Sequence, residues 1–260
     1  MILSPTRPDR SPAPSGPVLF ARYAFGPNRM GYCGPDAVEE LLGEGTEPAG
    51  PAHDRAIREL ARGFEGAWPY LELIARSNAI GDPLDRRVVE AYWLGNELLE
   101  RVAPGDLAAS LRVRFRPRLR DDGWRWLERK PDDGAVPVHA FHVLDVFPRV
   151  GLLRSGSLDR TLEIIDACRI RWGRVLERDG DALVVSAVPL KLVGGRQVLD
   201  APRPERVDAW SVGRTFVDDA APGDVISIHW SFACDRLSGR ELANLVASTR
   251  HELEIANRTI

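Results

Sequence analysis

The stretch CRIRWGRVLERDGDALVV, residues 168–185, marks the point where the chain changes from helical to strand patterning. Apolar and polar residues alternate on both sides of Asp179-Gly180, and many of the apolar ones are β-branched. An Asp-Gly pair between two such runs predicts a β-hairpin with a tight turn. Further alternating runs at 210–217 and 225–232 predict more strands. Residues 238–257 return to helical spacing behind a capping box formed by Ser238 and Glu241.

Before residue 158 the apolar residues recur at helical spacing instead. The pattern predicts helices around residues 36–42, 53–64, 69–75, 83–102, 104–115 and 138–147. Residues 5–17 are rich in Pro, Ser and Arg, so residues 1–17 are predicted to be a disordered leader and not a targeting segment. The predicted fold class is therefore α+β, with an all-α domain at 18–157. At 158–260 we expect a small OB-like β-barrel with a C-terminal helix.

The composition excludes several classes of function. The 260 residues include 35 Lys or Arg against 38 Asp or Glu, a formal net charge of −3, which argues against a basic nucleic-acid-binding domain. No stretch approaches the roughly 18 uncharged apolar residues of a membrane span. Cys33, Cys168 and Cys234 are too few and too scattered for a disulfide framework, which favours the reducing cytoplasm. We expect a cytoplasmic protein without nucleic-acid or membrane partners.

The predicted barrel resembles the HypC/HupF family of nickel–iron hydrogenase assembly chaperones over residues 166–257. In that family a cysteine opens a strand, a glycine follows five residues later, and an Asp-Gly turn comes eleven and twelve residues after the cysteine. Cys168, Gly173 and Asp179-Gly180 keep these spacings. The run PGDVISIHWSFA at 222–233 resembles the family's later strand, with His229 at the histidine position, and a C-terminal helix follows in both.

This resemblance implies an accessory role in the maturation of nickel–iron hydrogenases. It implies that Cys168 and His229 contact an iron centre that transiently carries cyanide and carbon monoxide, or contact the hydrogenase large subunit or another maturation protein. The residue types suit that chemistry, because a soft thiolate and an imidazole are good ligands for such iron. The role implied is closer to that of a metallochaperone than to that of an enzyme, and it leaves catalysis open.

Two histidines in the predicted helix at 138–147 are further candidate ligands. His139 and His142 are three residues apart, which places both rings on one face of a helix, as a pair of metal ligands requires. The alternative is a pair of hydrogen-bonded histidines in a partly buried helix.

Cys33 is a candidate of a different kind. It lies in GYCGPD, residues 31–36, just before a predicted helix start, where the helix dipole favours a thiolate. The string loosely resembles the nucleophile turn of some papain-like cysteine peptidases, which implies a cysteine hydrolase with His139 or His142 as the base. A buried cysteine packed against the helix start is the alternative, and an additional metal ligand is a third interpretation.

An arginine run and several strings complete the pattern. Arginine alternates with other residues from Arg112 to Arg120, which in an extended chain would form a face able to grip phosphates or carboxylates. The alternative is a helix end that breaks at Pro117, followed by a solvated loop neutralised by Asp121 and Asp122.

The strings FEGAWPY (64–70), AYWLGN (91–96) and HAFHVLDVFP (139–148) make the whole chain look like an actinobacterial family of unknown function.

Overall fold

The computed structural model describes residues 13–46, 51–148 and 158–258. Helices occupy most of the chain before the strands: α1 (Gly16–Arg29), α2 (Val38–Thr46), α3 (Pro51–Arg62), α4 (Trp68–Ser77), α5 (Arg86–Trp93), a 3₁₀ helix (Glu97–Arg101), α6 (Pro104–Phe115), α7 (Asp121–Leu127), α8 (His139–Phe141), a π-helical turn (His142–Val146) and α9 (Leu158–Cys168). Within the described ranges, no helix is long and apolar enough to span a bilayer.

The strands follow α9, and the last helix closes the chain. They are β1 (Arg171–Asp179), β2 (Ala182–Ala187), β3 (Leu190–Val193), β4 (Arg196–Leu199), β5 (Arg203–Asp208), β6 (Trp210–Ser211), β7 (Arg214–Thr215), β8 (Val225–His229) and β9 (Phe232–Arg236), followed by α10 (Gly239–Asn257). Five strands form a closed barrel in the order β1-β2-β5-β9-β8, in which only β5 and β9 pair in parallel. The predicted α+β class, with a small OB-like barrel and a C-terminal helix, is confirmed.

The hairpin that opens the barrel forms as its sequence predicts. Asp179 pairs with Ala182, and Gly180 between them has a φ of +60°, a conformation that favours glycine. On the inner side of the barrel, Val175, Leu183 and Val185 are completely or almost completely buried. The alternation of apolar residues along these strands therefore decides which side chains fill the barrel.

The predicted helix at 83–102 is divided in two. Helix α5 ends at Trp93, and Gly95 then adopts a φ of +89°. A Cβ atom at Gly95 would lie 1.9 Å from the Ser248 side-chain oxygen, so this glycine also lets α10 approach closely. Asn96 begins the separate 3₁₀ helix by accepting a hydrogen bond from the Leu98 backbone N–H at 3.0 Å.

Helix α1 was not predicted. It begins at Gly16, so the last two residues of the predicted leader are helical, while residues 1–12 lie outside the described ranges. Almost every residue of α1 is buried, and its apolar residues therefore show no amphipathic stripe to reveal it. The predicted strand start at Cys168 is also wrong, because Cys168 is the last residue of α9 and β1 begins at Arg171.

Helix α1 packs against the barrel and joins the two halves of the chain. The centres of the Phe25 and Phe232 rings are 4.7 Å apart. A Cβ atom at Gly26 would lie 2.4 Å from the His229 carbonyl oxygen, so α1 lies directly against the end of β8. One hydrophobic cluster accordingly contains residues of α1 together with Phe232 and Leu245. The domain boundary predicted at 157 stays a prediction, because residues 149–157 lie outside the described part of the chain.

Candidate metal centre

A cavity of about 670 Å³ lies where the helices meet the barrel. Its walls come from α1, the α1–α2 connection, residues 63–67, the ends of α5 and α6, and the histidine-containing turn. All five residues that the sequence singled out line it: Cys33, His139, His142, Cys168 and His229. The fold thus gathers candidates that lie far apart in sequence, but it does not give them equal positions.

Three of the five form a tight group, which we call the cavity cluster: His139, Cys168 and His229. One ligand atom from each lies within 4.8 Å of the other two. His139 opens α8, Cys168 ends α9 and His229 ends β8. Two imidazoles and a thiol form a donor set that suits zinc, copper, iron or nickel, and three protein ligands leave an open coordination position.

His229 presents an unused lone pair to the cluster. Its Nδ1–H donates to the Tyr23 carbonyl oxygen at 2.6 Å. A carbonyl can only accept a hydrogen bond, so this contact assigns the proton to Nδ1 and leaves Nε2 as the free acceptor. Nε2 is buried and has no hydrogen-bond partner among the described residues. Burial, with neighbouring His139, holds the pKa of His229 well below its usual value, so the ring is neutral and ready to bind a metal.

His139 differs from His229 because its lone pair is already in use. Its Nε2 lies 2.9 Å from the Cys168 carbonyl oxygen and donates to it, while its Nδ1 lies 3.1 Å from the Tyr92 hydroxyl and accepts. Burial lowers the pKa of His139 to about 4. A metal at this ring must displace one hydrogen bond. The Tyr92 hydroxyl has a second acceptor in the Gly66 carbonyl oxygen at 3.2 Å.

Cys168 supplies the sulfur of the cluster. The residue is half-buried, and burial raises the pKa of its thiol, so the thiol keeps its proton until a metal displaces it. The Trp230 indole acts in the opposite direction, because it lies near the sulfur and favours the thiolate. Trp230 has a φ of +56°, and its ring stacks on Tyr32 at 4.0 Å. The sequence did not identify Trp230 and Tyr92 as neighbours of the cluster. The position of Trp230 directly after His229 was a signal that could have identified it.

Cys33 and His142 line the cavity outside the cluster. A Cβ atom at Gly66 would lie 3.4 Å from His142 Nε2 and 3.9 Å from Cys33 Sγ, so the missing side chain leaves a space between them. Helix α2 begins only at Val38, and burial raises the pKa of Cys33 to about 11. Burial and neighbouring Arg114 hold the pKa of His142 well below its usual value. Cys33 and His142 thus face a common space, but burial disfavours the Cys33 thiolate that a cysteine hydrolase needs.

The arginine run does not form a continuous face. Helix α6 ends at Phe115, and Arg116 pairs with Asp121 at 2.7 Å on the surface, as expected for a solvated loop. Arg114 and Arg118 both line the cavity, and Arg114 lies over the Tyr70 ring. Cys234, the remaining cysteine, is fully buried in the hydrophobic core and is not a lining residue of the cavity.

Residues 12–260 match the model of one protein family, described as a family of unknown function (DUF6390). No curated protein and no solved structure matches the chain.

Proposed function

The chain belongs to DUF6390, a family of unknown function, and we propose that it acts as an accessory protein in nickel–iron hydrogenase maturation. It contacts an iron centre through Cys168 and His229, or docks with the hydrogenase large subunit at the same site. We place this step in the cytoplasm, where Cys33, Cys168 and Cys234 stay reduced as free thiols.

One observation carries the proposal. Cys168 and His229 are the two residues that the HypC/HupF resemblance selects, and their ligand atoms lie within 4.8 Å of each other on the wall of a cavity. The strand that ends at His229 pairs with β1, which begins just after Cys168, in a closed five-stranded barrel. The two strings are separate in sequence, and the proximity of the cysteine of one to the histidine of the other supports the resemblance.

The chemistry of the cluster suits a transient cargo. Cys168 must lose its proton when it binds, whereas both histidines are neutral at pH 7 and need not. His229 Nε2 has no partner at standard hydrogen-bond geometry in the described structure, and the nearby Cys168 carbonyl is the backbone group that interacts with this ring besides the Tyr23 carbonyl. His139 completes the site only when one of its hydrogen bonds opens. A site with one ready ligand, one that must first lose a proton and one that must first break a hydrogen bond is suited to releasing what it binds.

The position of Cys168 decides how the cargo reaches it. In the HypC/HupF family the cysteine stands at the chain terminus after methionine removal, but here it ends α9 inside the fold. A side chain held there cannot extend into a partner's cleft. The iron fragment, which is the substrate in this account, therefore enters the cavity, and the partner docks at the cavity mouth.

An infrared experiment tests the proposal. The protein is produced together with the iron-donating machinery and purified, and we expect cyanide and carbonyl stretching bands in the wild type. These bands should be absent in Cys168→Ala and in His229→Ala. They should persist in Cys234→Ala and in His251→Ala, because Cys234 is a core residue and His251 is exposed on α10. Absence of the bands from the wild type, together with failure to capture a hydrogenase large subunit, would contradict the proposal.

A further inference from the structure

The Arg114 guanidinium is a charged group on the cavity wall that the iron proposal does not use. It lies 4.3 Å from the centre of the Tyr70 ring and 4.7 Å from that of the Phe115 ring, and its Nη2 donates to the Glu65 carbonyl oxygen at 3.0 Å. Its Nη1 is buried and has no partner at standard hydrogen-bond geometry among the described residues, and the neighbouring Tyr70 hydroxyl interacts with the Arg114 side chain. Buried donors in native proteins almost always have a partner, so an orphaned one indicates a missing acceptor.

The charge of Arg114 is not balanced within the described structure. Glu65 also lines the cavity, but it directs its carboxylate to Arg118 at 3.5 Å, and the Glu65 side chain is 80% exposed. No ion pair to Arg114 is found in the described part of the chain. The neighbouring His142 is neutral, because burial and Arg114 itself oppose its protonation. The wall therefore carries one net positive charge beside a neutral imidazole.

The rest of the cavity defines the body of a ligand. Phe64, Tyr92, Trp93 and Phe115 give the cavity an aromatic surface, and about 670 Å³ is within the range of small-molecule sites. The Trp93 indole N–H is a second buried donor without a partner in the described structure. Trp93 and Arg114 both line the cavity, so a ligand that accepts a hydrogen bond and has an apolar body fits this site.

We propose that this cavity binds a small organic monocarboxylate with an apolar or aromatic body, and that Arg114 holds the carboxylate. Arg118 also lines the cavity but pairs with Glu65 at 3.5 Å, so Arg114 supplies the one unbalanced positive charge of the wall, which matches one negative charge on a ligand. A phosphate dianion would need further cations or N–H donors at the same point. The inference goes beyond the iron proposal and does not depend on it.

Calorimetric titration of metal-free protein with benzoate, phenylacetate and octanoate tests this site. We expect saturable binding of at least one of these acids. The affinity should fall by about tenfold or more in Arg114→Gln, because a charge-assisted hydrogen bond is lost. Arg112→Gln is the matched control, since Arg112 lies on the same helix, is exposed and does not line the cavity. Arg114→Lys, which keeps the charge, should lose less affinity and covers the case in which Arg114→Gln fails to fold.

Two further readouts locate the ligand and identify its chemistry. The neutral amide of the best acid should bind more weakly than the acid by a similar factor, and inorganic phosphate should not compete. Bound acid should slow the alkylation of Cys33 at pH 9, because Cys33 lines the same cavity. Failure of all three acids to bind, equal affinity in wild type and Arg114→Gln, or preferred binding of phosphate would overturn the inference. Unchanged Cys33 alkylation in the bound state would overturn its location.

Discussion

Two buried groups of polar side chains in this protein differ in what they leave unused. The cavity cluster of His139, Cys168 and His229 is neutral, lines a cavity, and keeps one lone pair without a partner in the described structure. Lys130 and Asp145 form the other group, which we call the buried ion pair. Their charged atoms are 2.9 Å apart and both side chains are completely buried. Neither Lys130 nor Asp145 is a lining residue of the cavity.

The buried ion pair joins distant elements. The Lys130 ammonium also donates to the Ile255 carbonyl oxygen of α10 at 3.0 Å and lies 3.9 Å from the centre of the Trp126 ring. Glu252 of α10 is buried nearby and accepts a hydrogen bond from the Val136 backbone N–H. The charges of Lys130 and Asp145 neutralise each other, whereas the cavity cluster has nitrogen and sulfur atoms that could bind a metal. The cavity and the unused lone pair therefore distinguish the cavity cluster from the buried ion pair.

The largest expected effect on stability comes from Lys130→Met. It leaves Asp145 charged and buried without its counterion, which costs about 3–5 kcal/mol. Lys191 is the only other lysine and pairs with Asp200 at the surface, where its side chain is 47% exposed. Lys191→Met should therefore cost less than about 1 kcal/mol. Urea unfolding of both variants measures the difference. Equal costs would refute the structural role given to the buried ion pair.

Substitutions in the cavity cluster should instead have a large effect on metal binding. Co²⁺ titrated into metal-free protein should produce a thiolate-to-cobalt charge-transfer band, which Cys168→Ala abolishes. His229→Ala should weaken Co²⁺ binding by about 100-fold or more, since loss of an outer-shell partner alone costs 10–100-fold. His251→Ala should leave both the band and the affinity unchanged. A full-strength band in Cys168→Ala would remove the thiol from the site.

The smallest effect, and one that depends on pH, is expected from Glu252→Gln. Burial raises the pKa of Glu252 well above its ordinary value of 4.5. Above pH 4.5 the folded protein therefore holds a proton that the unfolded chain has lost, so this group makes the wild type less stable as the pH rises. Glutamine mimics the protonated form, and at pH 5 the variant should lie within about 1 kcal/mol of the wild type.

Urea unfolding from pH 5 to pH 8 measures this difference. The free energy of unfolding of Glu252→Gln should increase relative to that of the wild type as the pH rises. A constant difference across that range would mean that Glu252 is not held protonated in the folded protein.

Local signals in the sequence were sufficient for much of the fold. Asp179-Gly180 predicted the first hairpin, and Ser238 with Glu241 forms the predicted capping box at the start of α10. The missed helix α1 and the undivided helix predicted at 83–102 have one physical cause, because tertiary contacts override the local sequence pattern in both places. Helix α1 is buried on nearly all sides and so lacks an amphipathic stripe, and Gly95 ends α5 where α10 packs against it.

The candidate site was predictable in its members but not in its grouping. Spacing paired His139 with His142, yet the fold places His139 beside Cys168 and His229 and leaves His142 beside the space that also faces Cys33. A three-residue spacing gives a shared helix face only in a regular α-helix, and the backbone changes to a π-helical turn at His142. The approach of α8, α9 and β8 to one point is a tertiary event that no local pattern encodes.

X-ray absorption spectroscopy of iron-loaded protein tests the central claim most directly. The account predicts one sulfur scatterer together with imidazole nitrogens in the first coordination shell, and loss of the sulfur in Cys168→Ala. His229→Ala should lower the imidazole contribution and leave the sulfur in place. A shell of oxygen and nitrogen alone, unchanged by Cys168→Ala, would contradict the assignment of Cys168 and His229 as the residues that contact iron.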